Sequence, residues 1–564
     1  LSTFRPGPRN VIQEDSGAFV FRLRKGETVV FIGIFDIAVS EGAVTILGAF
    51  LHNNSKTCRV VAPSTHSLPP VIARADAIVH ITSAKSSLQR LEALSPLFRN
   101  IWAHNNDKSQ SFRLLLTSND DAMHRSLDVV ECDRETDGFL STALSSTDYP
   151  VRKVAISIGG KSTGKSTMNR LLLNSALRKH PICLYLDLDP GQPEFGPPGQ
   201  ISLVKVSKFV LRPPFANYTI NAKSGIEVLK SHTIAANSFK DDPDHYVACV
   251  RDLFENFERR FNNQPLIINP CGWINGTGSH ILRDLVHLVK PSVALILEPL
   301  DQETTLWIDA VLQSVVVKQH RVLRRQIRPS SRTPAELRAM QTMVYFHSQE
   351  TPSLDREAQQ ALNLKTISHF HPWIVSYAGP HAAVTAVVSY GSQPNPCFLP
   401  ELLNGATVAV VTVDVSESSS AAEETSHRRT SLSVSGQGHG HALPYLTPDG
   451  KGILLPPKPK HSNCVGLALV RAIDNSTKTI QLITPIPSSQ IATLSGLSRH
   501  VILVRGSFDS PEWAYLEDLY QKGDSTANEG EHGLCDENVK IRPWVSRRGM
   551  VGIESAVWRL RHQP

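Results

Sequence analysis

The sequence predicts an α/β protein. A central P-loop parallel sheet with helices on both faces is flanked by an N-terminal β-sandwich-like domain and a C-terminal mixed α/β domain. Three observations carry this. Apolar segments of strand and helix length alternate over residues 146–395. A glycine-rich loop joins the first of those strands to its helix. Short strand-like runs punctuated by Gly and Pro dominate both ends of the chain.

Length and composition are consistent with several folded domains. The chain has 564 residues, 41% of them hydrophobic and 20% charged, close to a globular average. No apolar run is long enough to cross a membrane, so no membrane partner is expected. The chain begins at Leu1 rather than Met, and a targeting segment ahead of it would not be seen. The eight cysteines are scattered, with no C-x-x-C pair, which fits a reducing compartment and argues against structural zinc. A net charge of +6 permits an anionic partner without requiring one.

Residues 1–145 read as β-rich. Residues 28–34 and 44–51 are strand-like, with glycines at Gly26, Gly33, Gly42 and Gly48 as punctuation, and residues 77–82 form a further apolar run. In the central unit, residues 154–158 form a strand and a helix runs from Lys165 to before Pro181. A strand over 182–188 follows, then a helix over 246–261 with Val250, Phe254 and Phe257 on one face. Further strands are expected at 266–269, 293–297 and 371–376, with a helix over 281–289. Residues 396–535 form a third unit with strands near 408–413, 465–470, 480–484 and 501–504. Its stretch 416–443 is rich in Ser, Glu, Gly and His, too polar to bury a core, and is expected to be disordered; His439 and His441 there are not expected to hold a metal. Residues 536–564 form a tail carrying Trp544 and Trp558.

The chemistry concentrates in four places. Gly159-Gly160-Lys161-Ser162-Thr163-Gly164-Lys165-Ser166 fits G-x-x-x-x-G-K-[ST] between a strand and a helix. Backbone N–H groups converging at a helix N-terminus cradle an anion. Lys165 can then reach the β- and γ-phosphates of a nucleotide, and the Ser166 hydroxyl can ligate Mg²⁺. Asp187 and Asp189 stand at the end of an apolar strand, where one can steady a metal and the other accept a proton. Strand alternation places the two on the same side. The following Gln192 lies on a turn-rich loop suited to a nucleotide pocket. Between Lys318 and Arg338 lie seven basic residues, among them Arg328 and Arg332, against Glu336 alone. Thr333-Pro334-Ala335-Glu336 reads as a helix start with a capping box. The segment is an arginine lid able to neutralise a transferring phosphoryl group, or a solvated basic face. The fourth place is Gly272-Trp273, after the strand over 266–269. Its indole could stack on a base or belong to the core. No N-K-x-D motif favours guanine.

Taken together, these motifs resemble the P-loop family of RNA 5′-hydroxyl polynucleotide kinases. The resemblance runs on through residues 465–474 and 482–485, and covers about three-quarters of the chain. It is closest to the nucleolar branch that processes pre-rRNA spacers, through Gln192-Pro193-Glu194 and the tail residues Ile541, Arg542, Pro543 and Trp544. It implies transfer of the ATP γ-phosphoryl group to an RNA 5′-OH, with ATP and Mg²⁺ bound by Gly159 through Thr167. It implies Asp189 as the base, Asp187 and Gln192 as supports for metal and substrate, and Trp273 and Gly272 as a clasp on the terminal RNA base. It also implies a tail docked on a HEPN-type endoribonuclease, in a higher-order hetero-oligomer of the nucleolus. Pro270 departs from the family pattern, which has Thr there. The alternative is a scaffold that binds ATP structurally and activates the nuclease.

Overall fold

The computed structural model describes residues 1–14, 17–84, 86–104, 110–144, 153–218, 224–315, 317–322, 330–348, 362–379, 382–414, 443–446, 456–490 and 499–526. The insertion over 416–442, Arg328 and the tail residues Ile541, Arg542, Pro543 and Trp544 lie outside them.

Nine antiparallel strands make the N-terminal unit. They are organised on one 14-residue strand, Thr28–Glu41, which pairs in turn with Pro70–Ala73, Phe112–Leu115, Cys58–Ala62 and Ala77–Ser83. Its length lets it serve successive partners along both edges. Gly33, at φ 117°, lets residue 111 approach closely: a Cβ there would lie 2.3 Å from the Ser111 carbonyl oxygen. The strands form one hydrogen-bonded set rather than two separate sheets.

The central sheet has seven strands. In order they are Ile226–Thr233, Gln200–Val206, Cys183–Leu188, Leu266–Pro270, Val154–Ile158, Val293–Leu297 and Lys318–Val322. The last five are mutually parallel, but Gln200–Val206 and Ile226–Thr233 join antiparallel at one edge. The expected all-parallel sheet is therefore corrected to a mixed one. Strands Val154–Ile158 and Val293–Leu297 are buried at every residue, as strands covered by helices on both faces require. Helix Pro243–Phe261 starts at Asp242, whose side chain accepts from the His245 N–H, with Pro243 in the first turn. It buries Val250, Phe254 and Phe257, as its periodicity predicts.

The third sheet corrects the boundary drawn at 395. Its six strands run Trp373–Ser376, Thr479–Ile483, Ser462–Asp474, Thr407–Asp414, Arg499–Arg505 and Ala386–Ser389. Strand Trp373–Ser376 thus belongs here, paired antiparallel with Thr479–Ile483, and not to the P-loop sheet.

The units share cores. One apolar cluster runs from Phe4 and Phe31 of the N-terminal unit to Leu172 and Leu295 of the central one. The turn at Leu47 and Gly48, with φ of 46° and 80°, lies on the helix Lys165–Ala176. A Cβ on Gly48 would come 2.3 Å from the Leu171 carbonyl oxygen. Asn174, fully buried, donates to the Leu47 and Val210 carbonyls at 2.7 and 3.0 Å and accepts from the Val210 N–H at 2.8 Å. At the far edge, helix Arg134–Thr142 packs on the last central strand: Phe139 stacks on His320 with ring centroids 4.6 Å apart.

Candidate active site

The P-loop links the strand Val154–Ile158 to the helix Lys165–Ala176. Gly164 takes the left-handed conformation at the helix N-terminus, φ 92°, where any side chain would be strained. Lys165 is 8% exposed. Its ammonium donates to the Gly159 and Gly160 carbonyls at 3.0 and 2.7 Å, so it lies folded across the loop. Burial lowers its pKa, opposed by the charge of nearby Asp189. Thr163 Oγ1 donates to the Gly160 carbonyl at 3.0 Å. Lys161 and Ser162 are exposed, and Ser166 and Thr167 half-buried, in the loop and the first turn of the helix.

Gly272 closes over this loop. A Cβ there would lie 2.8 Å from the Lys161 backbone nitrogen and Cα, so only glycine lets the two backbones approach so closely. Trp273 is half-buried and joins a ladder of rings: it stacks on Phe239 at 5.2 Å, and Phe239 on Tyr246 at 4.2 Å. One indole face is therefore committed to the protein. The Tyr246 hydroxyl donates to the Leu188 carbonyl at 2.8 Å, next to Asp189.

The two aspartates separate. Asp187, fully buried, is the penultimate residue of strand Cys183–Leu188. Its Oδ2 accepts from the Glu194 and Phe195 N–H groups at 2.7 and 3.1 Å, and its Oδ1 from Asn269 Nδ2 at 3.0 Å. Burial pushes its carboxyl up to about 8, against the opposing pull of the Asn269 and Phe195 donors. Asp187 is thus corrected from metal ligand or catalyst to the anchor of the loop over 190–199. The strand ends at Leu188, so alternation does not carry over to Asp189. Asp189 is half-buried; its Oδ1 caps a turn, accepting from the Gly191 and Gln192 N–H groups at 2.9 and 3.1 Å. Among the described residues its Oδ2 takes no hydrogen bond. Its charge acts on both Lys165 and Cys271, the latter pushed up to about 12 mainly by burial. Gln192 is exposed on the same loop.

The basic segment divides. Lys318 and Arg321 lie in a strand, and Arg321 pairs with Glu298 at 2.7 Å and Asp309 at 2.6 Å. Arg332 is corrected from lid arginine to interdomain anchor. Its guanidinium donates to the carbonyls of Leu97, Ser331, Pro96 and Arg99 at 3.0–3.3 Å. Three of these oxygens, those of Pro96, Leu97 and Arg99, belong to a short 3₁₀ turn of the N-terminal unit, Pro96–Phe98, and the residue after it. Helix Pro334–His347 starts with the predicted capping box, Thr333 and Glu336 satisfying each other's backbone N–H.

Sequence reasoning missed the buried frame beneath the site. Arg170 and Glu194 form a bidentate pair, both Nε–Oε1 and Nη2–Oε2 at 3.0 Å, with side chains 9% and 1% exposed. Asn169 bridges Ser157 and Asn269 at 2.9 and 3.0 Å. The visible signal was polar residues, Asn169 and Asn174, on a helix face otherwise expected to be apolar.

The geometry fits a nucleoside triphosphate with Mg²⁺. A lysine aimed at backbone carbonyls beside a helix N-terminus, a loop backbone that Gly272 can approach closely because it has no Cβ, and a carboxylate with an uncommitted oxygen make the donor set for phosphate and a hard cation.

Residues 159–348 match the family described as "mRNA cleavage and polyadenylation factor CLP1 P-loop". The chain is 32% identical to the polynucleotide 5′-hydroxyl-kinase grc3 of Aspergillus clavatus, over 92% of this chain and 70% of that one. It is 30% identical to the GRC3 of Gibberella zeae, over 100% of this chain and 82% of that one. In fold, it is similar to Clp1p in the solved wild-type Clp1p–Pcf11p complex, with TM-score 0.52 and 14% identity over 88% of this chain and all of that one. The chain therefore belongs to the P-loop polynucleotide 5′-hydroxyl-kinase family.

Proposed function

We propose that this chain transfers the γ-phosphoryl group of ATP to the 5′-hydroxyl of RNA. The observation that carries this is Asp189, near enough for its charge to act on Lys165, with one carboxylate oxygen held by the turn and the other left over among the described residues. The 5′-oxygen attacks the γ-phosphorus, the bond to the bridging β–γ oxygen breaks, and ADP leaves. Asp189 accepts the hydroxyl proton. Lys165 leaves the Gly159 and Gly160 carbonyls to bind the phosphates, while the P-loop N–H groups and the helix N-terminus hold the rest of their charge. Ser166 would hold Mg²⁺, which when bound neutralises charge on the phosphates, and the second oxygen of Asp189 stays available for the proton. Trp273 offers its remaining face to the terminal base, with Gln192 at the rim.

Incubation with γ-labelled ATP and 5′-OH RNA tests the reading: the wild-type protein labels RNA, and Lys165→Ala loses about 10²–10³-fold or more in rate. Absence of label from a wild-type protein that binds ATP would remove the kinase assignment in favour of a scaffold.

The setting we propose is pre-rRNA spacer processing in the nucleolus, with a HEPN-type endoribonuclease that leaves the 5′-OH end. Its support is the 30–32% identity to curated GRC3 proteins and the tail sequence Ile541-Arg542-Pro543-Trp544, which combines residue types common at interface hot spots. Deleting residues 540–564 will leave ATP binding intact and weaken nuclease association in a pull-down. Undiminished association would discard the tail as the docking element.

A further inference from the structure

The helix Pro334–His347 carries a stripe of three polar side chains, Arg338, Gln341 and Tyr345, spaced i, i+3 and i+7 on one face. Gln341 reaches the central unit, while Arg338 and Tyr345 both reach the third unit. Gln341, 8% exposed, donates from its single amide nitrogen to two carbonyls, Pro193 at 3.0 Å and Gly196 at 2.6 Å. Both lie on the loop that carries Gln192 and follows Asp189. Arg338 Nε donates to Asp509 Oδ2 at 2.6 Å, in the segment after the third-sheet strand Arg499–Arg505. The Tyr345 hydroxyl accepts from the Leu467 N–H at 2.8 Å, in the third-sheet strand Ser462–Asp474.

The third unit also touches the same loop directly. Phe508 seats on Gly199, where a Cβ would come 2.4 Å from its ring. Asp509 Oδ1 accepts from Asn237 at 2.6 Å, and the Asn237 carbonyl lies where a Cβ on Gly191 would approach to 2.8 Å. The loop over 190–199 is thus gripped by one helix and one segment, both fixed to the third unit.

We propose that Gln341 is a positioning residue that sets the RNA-acceptor loop over 190–199, and that the helix Pro334–His347 transmits the placement of the C-terminal unit to that loop through Arg338 and Tyr345. Two carbonyls held by one amide fix both the distance and the tilt of the loop, which a single contact would not. The consequence for the reaction is acceptor binding rather than nucleotide binding, since among the described residues the Gln341 side chain makes its hydrogen bonds to this loop and none to the P-loop. This part rests on the reading of the site as an RNA kinase.

Gln341→Met keeps the volume and removes both donors. Amide exchange at Glu194 and Phe195, whose N–H groups Asp187 holds, will rise about tenfold or more, and Asp509→Asn will raise it in the same direction. Steady-state kinetics will show KM for 5′-OH RNA raised about tenfold, with kcat and ATP affinity near wild type. Gln341→Glu, which offers no donor when ionised, will behave like Met, and Gln341→His, which retains an N–H, will recover part of the KM. Unchanged exchange in Gln341→Met overturns the positioning role. Raised exchange with unchanged KM overturns the acceptor assignment. A wild-type protein that fails to label RNA removes the kinase reading and leaves the exchange result standing on its own.

Discussion

Asp189→Asn will reduce phosphorylation of a 5′-OH RNA end by about 10²–10⁴-fold, the range expected for loss of a general base. The substitution isolates chemistry from folding. Asparagine keeps an Oδ1 that can accept from the Gly191 and Gln192 N–H groups, so the turn after the strand Cys183–Leu188 persists. What is lost is the negative charge facing Lys165 and the basicity of the second oxygen. Single-turnover labelling with pre-bound ATP reads the step directly, and circular dichroism with a denaturant transition confirms the fold. A rate within about tenfold of wild type would show that another group takes the proton.

The second large effect falls on stability. Arg170→Met will cost about 3–5 kcal/mol, the usual penalty for leaving one member of a buried ion pair unpaired. Glu194 is 1% exposed, and its own pKa is already raised by burial, with the arginine pulling the other way. Without Arg170 it keeps, among the described residues, only Asn217, 3.4 Å from Oε1. Against a total stability of roughly 5–15 kcal/mol for a folded unit, such a loss is severe. Arg170→Met with Glu194→Leu removes both charges and will recover much of the loss, because the pair repays little beyond its own desolvation. Urea midpoints of the two variants decide the matter: equal midpoints for the single variant and wild type would mean that water or another cation reaches Glu194.

The catalytic loop and its helix were readable because the signal is contiguous. Eight residues from Gly159 to Ser166, framed by an apolar strand and a helical pattern, define both the structure and its ligand class. The helix start at Thr333–Glu336 was readable for the same reason, since a capping box closes within four residues. Failures came where the partner is distant in sequence. Trp373–Ser376 looks like any strand, and only pairing with Thr479–Ile483 about a hundred residues later assigns its sheet. Arg332 resembled a mobile lid arginine because three of the four carbonyls that bind it belong to residues 96–99. Gln341 carries no local mark at all; its meaning comes from Pro193 and Gly196. The pairing of Asp187 with Asp189 failed for a local reason: period-two alternation was extended one residue beyond the strand that justifies it.

The turn at Leu47 and Gly48 bears on how this enzyme can be taken apart. The back of the P-loop helix is closed by a segment more than a hundred residues earlier in the chain, through Asn174 and the backbone at Leu171. An excised nucleotide-binding fragment would open its own apolar underside to water and leave Asn174 without the Leu47 carbonyl it holds. The smallest autonomous catalyst here is thus larger than the stretch that binds nucleotide. A lineage that shed the N-terminal unit would first have had to redesign the helix that carries Lys165.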